Sequence, residues 1–301
     1  MSDLIEVVGD DRPAKAALCA RWADLGDQRA VLDAPLGSCG LRFNRLLEHG
    51  YSPPTQRGDE VRRRDLDVGA DVHGYVHVRL LDGFGVLVNG TPRPAGRWTK
   101  RYAAALVKLL ALSPRGRLHR DRVVDALWPD ATLDVALPRL HKAAHYARRD
   151  LGHRDAVVLR DQVVALFPHA RLEVDAITFE AAADAALSTK PVSPVACDGA
   201  LKLAGELLPE DLAEWWLDEP RERLRLRVGQ LLRGARRWED LLLLDPANEG
   251  AHVELLREAV VSGDRTNALR RFALMERALR AELGISPGRQ ALALLDRLVA
   301  S

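Results

Sequence analysis

The chain has 301 residues, 47% of them hydrophobic and 29% charged, enough apolar material for two domains with cores of their own. No apolar run approaches the roughly 18 to 20 residues of a bilayer-spanning helix, and "MSDLIEVVGDDRPAK" has no basic start followed by an apolar core, so a soluble, cytoplasmic protein without a membrane partner is expected. Net charge is only +1, but residues 97–160 hold 14 Lys and Arg against 6 Asp and Glu, net +8, whereas residues 173–301 hold 17 against 22, net −5. A basic middle beside an acidic C-terminal part suits a nucleic-acid-binding module joined to a regulatory one.

Residues 1–54 read as a small α/β segment. "LIEVV" and "RAVLDA" suggest strands, while "RPAKAALCARWADLG" and "LRFNRLLEHG" have helical periodicity ending at Gly26 and Gly50. Residues 55–74 carry prolines, glycines and dense mixed charge with almost no apolar period, which predicts a linker. From residue 75 the pattern becomes β-rich: "YVHVRLLDGFGVLVNGTPRP" contains two strand-like runs and an Asn-Gly turn signal, predicting a short antiparallel meander over 75–94.

Three helical stretches follow: "TKRYAAALVKLLALSP", "HRDRVVDALWP" and "LPRLHKAAHYARRDLG", the first two closed by Pro114 and Pro129. "AVVLRDQVVALFP" then predicts a hairpin, and because its tip lacks glycine the expectation is a loop longer than two residues. Beyond "LEVDAITFEAAADAALSTKPVSPV", a helix and a proline-containing break, everything reads as helical. Within it, Asp245 as a cap, Gly263 as a break and Asp264 as a second cap delimit two antiparallel helices. Ala251, Leu255, Ala268, Phe272 and Ala278, closed by Pro287, match a tetratricopeptide pattern. A single repeat cannot bury both faces, so the segments on either side should stack on it.

The third helical stretch carries the chemistry. With Leu140 as origin and 100° per residue, Leu133, Ala136, Leu137, Ala143, Ala144, Ala147 and Leu151 fall on one arc, the core face. The opposite arc holds Pro138, Lys142, His145 and Arg149, flanked by Arg139 and Tyr146 on one side and by His141 and Arg148 on the other. Asp134 is the expected N-cap, which sets Pro138 at the fourth helical position. His141 and His145 have the spacing of a zinc pair, but Lys142 stands where a zinc hydrolase needs its glutamate and no third ligand is near, so no metal is expected. A basic-faced third helix, after a helix and a turn and before a hairpin, has the layout of a winged helix-turn-helix, whose third helix enters the major groove.

The candidate DNA contacts are therefore Arg139, Lys142, His145 and Arg149, with Tyr146 offering its hydroxyl to phosphate or sugar. Arg160 at the hairpin tip is a candidate to reach an adjacent minor groove, and Lys100, Arg101, Arg120 and Arg122 at the starts of the first two helices are candidates for backbone phosphates. Arg148, nearer the core arc, is open both to pairing with an internal carboxylate and to DNA contact, and His141 is read as packed. Trp98, Trp128 and Trp238 are assigned to the core, whereas the adjacent Trp215 and Trp216 cannot both face one core. Cys19, Cys39 and Cys197 are far apart and odd in number, so buried free thiols are expected.

In combination, "HRDRVVDALWPDA", "LHKAAHYARRDLG", "VVALFPHARLEVDAITFE", "RRWEDLLLLDPANEGAH" and "GDRTNALRRFALMERALRAELGISP" resemble the SARP-type regulators with a bacterial transcriptional activator domain, over about three quarters of the chain, residues 76–301. The resemblance implies a mainly α protein with small β parts: an OmpR-type winged helix over 75–171, then a tetratricopeptide-like helical domain over 172–301. It implies a DNA-binding transcription regulator, commonly an activator that contacts RNA polymerase at promoter DNA, with Leu133–Leu151 as recognition helix and the hairpin near Arg160 as wing. Alanine is the residue expected where Pro138 stands.

No GxxxxGK[ST] loop and no GxSxG elbow occurs, so no enzymatic activity and no cofactor is expected. Asp10 and Asp11 are similar to the acidic opening of a phosphoacceptor receiver domain, but the segment is too short for a complete one. Two other classes remain open. One is a tetratricopeptide-type interaction scaffold whose winged helix does not bind DNA; the other is a sensor whose N-terminal pocket takes a small-molecule effector. A homodimer is compatible with the DNA-binding reading.

Overall fold

The computed structural model describes residues 74–300; the expected N-terminal α/β segment and nearly all of the linker lie outside them. The meander forms β1 (Tyr75–Arg79), β2 (Gly85–Val88) and β3 (Thr91–Arg93), with β2 antiparallel to both neighbours. The Asn-Gly signal acts as expected: Asn89 and Gly90 both take positive φ, 51° and 77°, making a two-residue primed turn. Asn89 also closes it against the neighbouring strand, its Oδ1 accepting from the Tyr75 amide at 2.9 Å.

The helices of the basic region are α1 (Arg101–Leu112), α2 (Arg120–Leu127) and α3 (Leu133–Leu151). Between α1 and α2 lies β4 (Arg117–His119), which pairs with the hairpin of β5 (Val157–Arg160) and β6 (Val163–Leu166) in the order β4-β6-β5. Three residues are too few for a strand signal of their own; β4 exists because β6 offers it an edge. The hairpin departs from expectation. Arg160 pairs with Val163, so only Asp161 and Gln162 form the loop, at φ 50° and 64°. Glycine is dispensable there because the turned-up Gln162 carbonyl accepts from the Arg120 amide at 2.8 Å, so contact with the start of α2 helps hold the left-handed tip.

After the hairpin, β7 (Arg171–Val174) lies parallel to β1, giving the first sheet the order β3-β2-β1-β7. Asp175 then opens α4 (Asp175–Ser188), and its carboxylate accepts from the amides of Leu80 (2.8 Å), Leu81 (3.0 Å) and Ala176 (2.7 Å). One side chain thus ties the end of β1 to the first turn of α4. Burial pushes its pKa up against the pull of those three donors.

The helical part continues with α5 (Pro194–Leu201), α6 (Asp218–Gly234), α7 (Trp238–Leu244), α8 (Glu249–Val261), α9 (Arg265–Leu283) and α10 (Arg289–Ala300). The antiparallel pair is α8 and α9, with α7 stacked before it and α10 after it, as a repeat with two faces to cover requires. Ala251, Leu255 and Ala268 are buried, but Phe272 and Ala278 are half-buried, and Met275 and Leu279 join Ala268 as the buried residues of α9. Asp264 caps α9 by accepting from the Asn267 amide at 3.0 Å. Asp245 does not cap α8. Asn248 does, accepting from Ala251, while Asp245 ends α7 and holds the Asn248 side chain at 3.0 Å.

The stretch after α5 is not helical throughout. Residues 202–214 turn back onto the first sheet, where Asp82 and Glu206 exchange two hydrogen bonds (2.8 and 2.9 Å) and the Leu208 amide donates to Leu80 at 2.9 Å. One continuous core therefore runs from Val76 through α1 and α3 to Leu231 and Ala251. Trp128 is buried and Trp98 and Trp238 pack against the same core, while Trp216 is buried and its neighbour Trp215 exposed. Cys197 is the expected buried free thiol; Cys19 and Cys39 lie outside the described residues. Among the described residues no helix is long and apolar enough to cross a membrane.

Two features of the helices yield tests. Pro138 sits at the sixth position of α3 and deprives the Asp134 carbonyl of its helical donor, so Pro138→Ala should raise stability by about 1–3 kcal/mol. The measurement is the urea midpoint at unchanged slope. His252 is buried in α8 with Nε2 donating to the Pro246 carbonyl at 2.9 Å, and burial holds its pKa below 6.5. On acidification the unfolded chain takes up this proton first, so its contribution is complete above about pH 6.5 and is lost as pH falls toward the depressed folded pKa. Denaturant unfolding near neutrality and about 1.5 pH units lower should show that decline in the wild type and a smaller one in His252→Gln.

Candidate nucleic-acid interface

Helix α3 is fixed on one side and open on the other. Ala136, Leu140, Ala143, Ala144, Ala147 and Leu151 are buried against α1 and the rest of the core. Gly152, at φ 70°, ends the helix in a left-handed cap whose amide donates to Arg149 at 3.2 Å, and the His153 amide reaches Arg148 at 3.1 Å. The front is less tightly held than the sequence suggested. The helix starts after Thr132, not Asp134, and Leu133 is 42% exposed although its angle places it on the core arc. It lies in the first turn, where nothing folds over it. Asp134 works from inside the helix: the Thr132 hydroxyl and the amides of Asp134 and Val135 hold its carboxyl below the ordinary range.

The outward arc presents Arg139, Lys142 and His145 on successive turns, all exposed. Arg139 and Lys142 have no ion-pair partner among the described residues, an uncompensated positive face standing on a rigid helix. His145 meets the Tyr146 ring edge-on at 5.5 Å. His141 is exposed as well, which corrects its reading as packed: the 100° step from Leu140 carries it beyond the edge of the core. Among the described residues Arg148 pairs with no carboxylate; its Nε donates to the Val157 carbonyl at 2.7 Å and pins α3 to β5.

At the far end of α3, the structure brings together three of the sequence candidates. The Arg149 guanidinium lies 4.9 Å from the Tyr146 ring centroid and the Lys100 ammonium 5.7 Å from it, so α3 and the residue before α1 supply two cations to one aromatic ring. Arg149 also donates to the Thr99 hydroxyl at 2.7 Å. Arg120 and Arg160 meet at the wing, where the Arg120 amide holds the tip. Among the described residues their side chains pair only with the adjacent acids Asp121 and Asp161, each at 3.3 Å, and the Arg160 pair is almost fully exposed. Water screens such pairs, so they leave the cations available to phosphate. Arg122 is exposed on α2 with no ion-pair partner among the described residues.

Arg101 does not join this group. Its guanidinium pairs with Glu214 at 2.8 Å, and Glu214 accepts from the Trp216 indole at 3.0 Å through its other oxygen. Two turns further along α1, buried Lys108 pairs with Glu210 and Asp211 and lies 4.6 Å from the Phe84 ring centroid. These contacts with the acidic segment were invisible in the sequence, since they join residues about a hundred positions apart. No group of three or more His, Cys, Asp or Glu among the described residues is placed to hold a metal ion.

The geometry can be set beside known proteins. Residues 205–298 match the family model of the bacterial transcriptional activator domain. No curated protein matches the chain. Among solved structures, EmbR of Mycobacterium tuberculosis, in complex with a low-affinity phosphopeptide, is similar at a TM-score of 0.56 and 20% identity over 75% of this chain. The chain spans 65% of the length of that protein, and the likeness is one of fold. The matched domain lies behind a winged helix-turn-helix, the order of domains that the resemblance to SARP-type regulators implies.

Proposed function

We propose that the protein is a sequence-specific regulator that binds promoter DNA in the cytoplasm through α3 and acts by binding, with no catalysis of its own. The observation that carries this reading is the pairing of a locked apolar arc with a free cationic one on the same helix. In such a docking Arg139, Lys142 and His145 reach base edges and phosphates in the major groove. Lys100, Tyr146 and Arg149 form a second contact at the C-terminal end of α3, while Arg120, Arg122 and Arg160 touch the flanking backbone. Arg101, engaged with Glu214, serves the join between α1 and the helical part.

The proposed division of the chain places DNA binding in residues 75–171 and control in residues 172–301. The acidic helical part cannot share the DNA surface without repulsion, and it suits an activating contact with RNA polymerase. Its hold on α1 through Lys108 and Arg101 gives that contact a rigid origin.

Titration of duplex DNA at several salt concentrations tests the proposal. Engagement of roughly 5 to 8 phosphates should give a log–log slope of about −5 to −7. Arg139→Ala with Lys142→Ala should reduce affinity by at least about tenfold while leaving the thermal midpoint within about 2 °C. Affinity indifferent to both salt and these substitutions would mean that the winged helix is a scaffold.

A further inference from the structure

We infer that Thr99 and Asp150, neither of them part of the cationic face, are positioning residues that set the Arg149 guanidinium for DNA. Asp150 follows Arg149 on α3, so the two side chains leave the helix about 100° apart. Asp150 turns inward, its side chain only 5% exposed, whereas that of Arg149 is 55% exposed. The Asp150 carboxylate accepts the Thr99 amide at 2.8 Å and also the Thr99 hydroxyl proton. With its proton given to Asp150, the hydroxyl oxygen has lone pairs left, and one accepts from Arg149 Nη2 at 2.7 Å. The direction of the chain is thereby fixed: Arg149 donates to Thr99, and Thr99 donates to a carboxylate that can only accept.

This relay does two things to Arg149. It restricts a long, rotamer-rich side chain to one placement before any ligand arrives. It also holds the guanidinium over Tyr146 beside Lys100, while Asp150 Oδ1 stays 3.8 Å from Arg149 Nε, too far for a close ion pair. Only one of the five guanidinium donors is spent on the relay, so the rest of the fork is open to a phosphate. Without the relay Arg149 keeps its charge but loses its aim.

The inference rests on the DNA-binding reading, and its test separates the two. Binding of a labelled random-sequence duplex is measured against salt for the wild type, Arg149→Ala, Thr99→Val, Thr99→Ser and the double variant Thr99→Val/Arg149→Ala, with thermal midpoints alongside. Arg149→Ala should weaken binding about tenfold and lower the salt slope by about 1. Thr99→Val, which keeps the shape and deletes the hydroxyl, should reproduce most of that loss. Thr99→Ser should restore wild-type binding, and the double variant should bind no more weakly than Arg149→Ala alone, because the two residues act as one unit. Asp150→Asn should fall between the wild type and Thr99→Val. A wild type without salt-dependent binding would overturn the DNA reading. A loss in Arg149→Ala with wild-type binding in Thr99→Val, or additive losses in the double variant, would overturn the positioning role alone.

Discussion

The burial of the small-residue stripe of α3 against α1 is the constraint on which the rest of this molecule depends. Ala136, Ala143, Ala144 and Ala147 add almost no side-chain bulk, so α3 can sit close to α1, with Leu140 and Leu151 filling the space that remains. Helix packing distance follows the size of the side chains at the contact, and alanine allows the near end of the range. Once that arc is committed, the 3.6-residue period leaves Arg139, Lys142 and His145 nowhere to go but outward. The positive face is thus a geometric consequence of the core, and it needs no ion pairs of its own to stand there.

The two ends of α3 are secured differently. Gly152 closes its C-terminus, the Arg148 bond to Val157 ties that end to the wing sheet, and the Thr99 and Asp150 relay holds it to the start of α1. Its N-terminus carries exposed Leu133 and Val135 and the donor lost at Pro138. The side-chain bonds that tie α3 to its neighbours are therefore concentrated at the end that carries Arg149.

Much of this was legible in the sequence because it obeys local rules. The Asn89-Gly90 turn, the Asp264 cap, the inward arc of α3 and the split between Trp215 and Trp216 follow from period and turn chemistry. The failures share a different cause. The tight turn at Asp161 and Gln162 is made possible by the Arg120 amide, some forty residues earlier in the chain. β4 depends on β6, and the non-helical course of residues 202–214 depends on Asp82 and Leu80. Composition could show that residues 173–301 are acidic, but not that Glu210, Asp211 and Glu214 are turned onto Lys108 and Arg101. In the candidate interface, the cations were found by charge and face. Thr99 and Asp150 were missed because their role lies in what they hold, and no spacing encodes a bond between residues 51 positions apart.

In the proposed function the outward face of α3 is what touches DNA. Site-specific photocrosslinking tests it most directly, with a photoreactive residue placed in turn at Lys142, at His145 and, as a control, at exposed Leu226 on α6 of the full chain bound to duplex DNA. Crosslinks to DNA are expected from positions 142 and 145, suppressed by high salt, and none from 226. Crosslinking from 226 with none from 142 or 145 would contradict it.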